Sequence, residues 1–227
     1  MRHPHSAIMA ITLTALSACT ADRAPNDAPA DAVQQRTSTG TLERPMAHRR
    51  EGQAMLDSAQ VALTSGNAGV TKALLHRAAT FFVAQANSPA SGGSAALLAA
   101  AVGLDSLAND VGGGRVVDSS RLSRLSAHAN LAEAERHGAL AAVAWSLRSK
   151  ESVSDELTMA ADHVERAAID ARIEVIPAMR GVLGQLRTIS RAISTQPQLD
   201  IRGLEEPLSN LHVEILAMHQ RLDRSSL

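Results

Sequence analysis

From Pro45 to the C-terminus, apolar residues recur three and four positions apart, the period of an amphipathic helix. Leu56, Ala59 and Leu63 share one face of a helix predicted over 46–65, which Gly66-Asn67 closes as a C-cap. A second helix, 69–87, carries Leu75, Ala78, Ala79 and Phe82 and stops at "NSPASGGS". Ser94 is placed to cap a third, to about 110, in which Leu97, Ala101, Leu104, Ala108 and Val111 step 4-3-4-3. "GGG" at 112–114 ends it, and Asp118 or Ser119 caps a long fourth helix to about 148. Ser152 or Ser154 caps a fifth that runs to about 194, with Pro177 expected to kink or split it. Pro207 fits the first turn of a last helix, 207–223.

The two C-terminal segments have the cleanest stripes. Val182, Leu186, Ile189 and Ile193 step 4-3-4, and Leu204, Leu208, Leu211, Ile215, Met218 and Leu222 step 4-3-4-3-4. Two matched seams joined by a short Pro-containing turn predict an antiparallel hairpin. The Leu204–Leu222 seam is either core or a face offered to a partner or to a second copy.

Composition narrows the fold. Of 227 residues, 45% are hydrophobic but only 1% aromatic, so Ala and Leu must form the core. The expectation is an all-α fold: hairpins packed as a bundle or short repeat array, ending in a long kinked helix and an antiparallel C-terminal helix. A formal net charge of −1 gives no pull toward nucleic acid, and the scarcity of aromatics removes stacking platforms.

The first nineteen residues follow another logic. "MRHPHS" supplies a basic start, "AIMAITLTAL" is too short to span a bilayer, and small residues then lead to the single cysteine. Leu16-Ser17-Ala18-Cys19 resembles the lipobox of bacterial lipoproteins. That resemblance implies cleavage before Cys19, acyl chains on it as the sole non-protein group, and stable membrane anchoring. Thr20 in place of Asp implies, by the same resemblance, the outer membrane, with the chain facing the periplasm. Residues 19–45, rich in Ala, Pro, Asp and Thr, read as a disordered leash, ~80 Å at full stretch. The remainder, 46–227, reads as a single helical domain without cysteine chemistry.

Two further resemblances concern the body of the chain. "AQVALTSGNAGVTKALLHRAA" (59–79) and "AAVAWSLRSKESVSDELTMAA" (141–161) share Ala and Leu positions, each as helix, turn, helix. Their spacing resembles tetratricopeptide hairpins, without the aromatic and Pro positions or the usual period of that family. "EGQAMLDSAQVALTSGN" is similar to the opening helix of the YfdX-type periplasmic helical proteins.

Candidate chemistry is sparse. Glu133 and His137 lie four apart and can share a helix face, which makes them weak metal-ligand candidates. His212 and His219 are weaker, being seven apart, ~10.5 Å along a helix, and each next to a seam residue. "ADHVER" (161–166) places Asp162, His163 and Glu165 in different directions and reads as solvated surface. There is no Gly-x-Ser-x-Gly elbow, and "SGGS" and "VGGGR" lack the ending that a phosphate loop needs. The expectation is a non-enzymatic, lipid-anchored envelope protein that binds an unidentified protein partner or itself. The alternative is a bundle that binds a small ligand or metal.

Overall fold

Seven α-helices and no strand make up the described residues of the computed structural model, 50–88, 92–196 and 203–224. In chain order they are α1 (Glu51–Thr64), α2 (Ala68–Ala86), α3 (Ser94–Gly112), α4 (Ser119–Ser146), α5 (Lys150–Ala171), α6 (Pro177–Thr195) and α7 (Glu205–Arg224). All lie within one unit, residues 43–227. Leu16, Ser17, Ala18, Cys19, the leash and the expected start of the first helix at 46 fall outside the described residues.

Local chemistry sets the boundaries. The Asn67 side chain accepts from Val70 N at 3.2 Å and caps α2, while Asp118 accepts from Ser120 N at 2.9 Å and caps α4. The α3 cap is Gly93, one residue ahead of the expected Ser94.

Of the two outcomes expected at Pro177, the chain takes the split: the single kinked helix is corrected to two helices. α5 ends at Ala171, where Arg172 takes a left-handed conformation (φ 55°). The chain stays non-helical through Ile176 (ψ 159°), and Pro177 opens α6. Proline disfavours helical geometry at Ile176 and has no N–H for a helix interior, so it suits the first turn of α6, while α5 has already ended at the left-handed Arg172. α5 also starts earlier than expected, at Lys150, so neither Ser152 nor Ser154 caps it. Ser154 is instead buried, its hydroxyl bonded to Ser190 Oγ at 2.9 Å and Ser194 Oγ at 2.7 Å on α6.

Successive helices run antiparallel. Across α4 and α5, Asn130 meets His163 and His137 meets Glu156; across α5 and α6, Ser154 meets Ser190 and Glu165 meets Arg187. The centre of this up-and-down arrangement is α4, which is buried on two sides. Leu122, Ala129 and Ala132 join the core of α1–α3, whereas Ala127, Leu131, Ala134, Ala141 and Ala144 join that of α5–α7. Alanine on so much of α4 and α5 lets the two backbones approach closely.

The seam on α7 belongs to the second core. Leu204, Leu211, Ile215, Met218 and Leu222 are buried and Leu208 partly so, packed with Val182, Leu186 and Ile193 of α6 and with α4. The stripe expected as an interaction face is therefore covered by this chain's own helices: the apolar side of α7 has two neighbours to bury against.

Candidate metal centre

The α4–α5 interface is alanine-lined, yet five polar side chains stand in it. Asn130, Glu133 and His137 recur on one side of α4, and Glu156 and His163 lie seven apart on α5. None is more than 7% exposed, so each needs a partner inside the protein.

His137 Nδ1 lies 2.5 Å from Glu156 Oε2; a carboxylate accepts, so the imidazole donates. His163 Nδ1 lies 2.9 Å from Asn130 Oδ1. The two rings stack, centroids 5.3 Å apart and planes 11° from parallel. Glu133 Oε2 is 3.8 Å from His137 Nε2 and 3.4 Å from Arg136 Nη1. Four buried atoms here have no hydrogen-bond partner: Glu133 Oε1, His137 Nε2 and His163 Nε2, which can face a cation, and Arg136 Nε, which cannot. One donor atom from each of Glu133, His137 and His163 lies within 4.8 Å of the others.

The electrostatics of this group are mixed: the buried carboxylate and neutral imidazoles favour a cation, and the Arg136 guanidinium beside Glu133 opposes one. Burial pushes the Glu133 carboxyl up, against the pull of His137 and Arg136. Burial first, then the neighbouring His137 and Arg136, holds His163 down at about 3, so its ring is neutral at ordinary pH. Two imidazoles and one carboxylate are the donors that borderline divalent metals such as zinc take, with room for a further ligand. The other ring nitrogen of each histidine is already held by a carboxylate or a carboxamide, the arrangement that orients metal-binding histidines. A cleft of about 300 Å³ walled by Gln53, Asp57, Met159 and Arg166 reaches His163 from the side of α1.

Of the sequence candidates, the fold brings Glu133 and His137 together and places the other two elsewhere. His212 is half-exposed on α7, 3.1 Å from Glu135 Oε1, and His219 stacks on His128. His163, expected on the surface, is buried. Its neighbours Asp162 and Glu165 do face outward, where Arg187 pairs with both. The missed signal was the shared interval: seven residues separate Asn130 from His137, and seven separate Glu156 from His163.

No protein family, curated protein or solved structure matches the chain. The fold and its buried donors define a class without reference to relatives: an all-α bundle with a polar cluster inside an alanine-lined helix pair.

Proposed function

We propose that the protein is a metal-binding helical bundle held at the bacterial cell envelope by lipid on Cys19. The convergence of one donor atom from each of Glu133, His137 and His163, all buried in an otherwise apolar interface, carries this reading. Leaving His137 Nε2 and His163 Nε2 bare costs about 1–3 kcal/mol each, and a divalent ion would give both a partner. Its role is binding rather than catalysis, tethered to the outer membrane and facing the periplasm. The lipobox resemblance at Leu16–Cys19 supports the location. Docking of a protein partner on the Leu204–Leu222 stripe has less support, because α4 and α6 already cover it.

Calorimetric titration of chelator-stripped protein with zinc, cobalt, nickel and copper tests the binding. The expected result is one ion per chain, with affinity lost in Glu133→Gln and His163→Gln. Absence of binding by every ion overturns the proposal. Labelling with a palmitate analogue tests the anchor, which predicts label on the wild type and none on Cys19→Ala.

A further inference from the structure

The hydrogen bonds that hold His163 begin two helices away. The Asp57 carboxylate on α1 accepts from Gln53 Nε2 at 2.7 Å, which turns Gln53 Oε1 toward α4. There Asn130 Nδ2 donates to Gln53 Oε1 at 2.7 Å and faces two more acceptors, Ser126 O and Asp170 Oδ2, each at 3.0 Å. Asp170 accepts in turn from Ser126 Oγ at 2.5 Å and forms an ion pair with the Arg166 guanidinium, 3.0 Å from Nε to Oδ1. With three acceptors around its nitrogen, the Asn130 amide has one tolerable orientation, and its oxygen faces His163 Nδ1. An amide oxygen only accepts. His163 Nδ1 therefore carries the proton, and Nε2 keeps the lone pair that a metal needs.

We infer that Asn130 and Gln53 are positioning residues for the metal centre, and that through them ion binding at His163 is coupled to the docking of α1. The inference rests on the metal-binding reading above. α1 contributes no ligand, yet Gln53 and Asp57 stand both in this chain of hydrogen bonds and on the wall of the cleft that reaches His163. An ion on Nε2 polarises the ring and strengthens the bond from Nδ1–H to Asn130, which tightens the hold of Asn130 on Gln53. Coupling is reciprocal, so releasing α1 must weaken the ion.

The test is hydrogen exchange of the full chain, with and without zinc, in wild type and Gln53→Leu, read beside zinc affinity. Zinc is expected to slow amide exchange across Glu51–Thr64 several-fold in the wild type and not in Gln53→Leu, which also binds zinc about tenfold more weakly. Asp57→Asn keeps an acceptor for Gln53 while removing the ion pair to Arg166, and is expected to retain zinc-dependent protection. Nitrogen NMR of the metal-free wild type should find the His163 proton on Nδ1. Zinc binding without slower α1 exchange, protection that persists in Gln53→Leu, or a His163 proton on Nε2 overturns the inference alone. Failure of the wild type to bind zinc or any other ion overturns the reading beneath it.

Discussion

His128 on α4 and His219 on α7 lie ring on ring, planes 17° apart, with their Nδ1 atoms at 2.9 Å, so one donates and the other accepts. Two protonated rings would oppose two N–H groups and two charges across that gap. Burial first, then His128, lowers His219 to about 4, with Asp223 opposing. Burial also lowers His128, against Asp223 and with help from Arg124.

The pH dependence of stability follows. An unfolded histidine titrates near 6.5, so between about 6.5 and 4 the unfolded chain binds more protons than the folded one. Their contribution is fully present above that range and is lost as pH falls through it. Glu133 and Asp170, whose carboxyls burial pushes up, act in the opposite sense, so the informative quantity is a difference. Urea midpoints should fall with acidification less steeply for His219→Leu than for wild type. Parallel pH curves would be the contrary result.

Glu133→Gln should separate binding from stability. The substitution removes a buried charge and with it the charged contact to Arg136, two effects of opposite sign. The Gln oxygen still accepts from Arg136, so metal-free stability should fall by less than the ~3–5 kcal/mol of a broken buried pair, while the zinc-induced rise in Tm disappears. Thermal scans with and without zinc measure both.

Two glycines with the same backbone sign should respond differently. Gly66 (φ 71°) has nothing within 4 Å of an added Cβ, so Gly66→Ala should cost about 1 kcal/mol, the strain of the conformation alone. At Gly93 (φ 70°) the same atom would collide with the backbone oxygen of Ala132 on α4. Gly93→Ala should cost at least about 2 kcal/mol, because backbone must move as well. Urea denaturation of the pair checks the ordering.

The core shared by α4–α7 should be intolerant in both directions. Ala160 and Leu157 are wholly buried on adjoining turns of α5. Ala160→Leu is expected to destabilise by about 1–3 kcal/mol through overpacking. Leu157→Ala, which opens a cavity, is expected to cost about 2–5 kcal/mol. Equilibrium unfolding gives both values.

The all-α class and most helix bounds were legible because apolar spacing, Asp118 and the glycine stretches act locally, whereas Asn67, expected to close α1, instead caps α2. The break at Pro177 was legible as a disturbance, but whether a proline kinks or divides a helix depends on what the two halves can bury. The α5 and α6 halves each have their own partners. The apolar stripe of α7 was plain, whereas its neighbours were not, since periodicity shows that a face is buried without saying against what. Glu133 and His137 were legible as a pair because they share a helix. His163 was not, because α5 presents opposite faces to Arg187 and to α4, and only the pairing of two helices shows which residue looks inward.

One consequence concerns how α5 finds its place. Alanine faces are nearly smooth, and two such helices offer little resistance to sliding along one another by a turn. The contacts at 130 with 163, 137 with 156 and 126 with 170 behave like teeth on a rack. Moving α5 by one turn would separate each of these pairs, and every buried polar atom left bare by the shift would cost about 1–3 kcal/mol. The same residues that gather three donor atoms thus give a featureless interface a single alignment, and a bundle almost without aromatic side chains gets its uniqueness from its few buried polar ones.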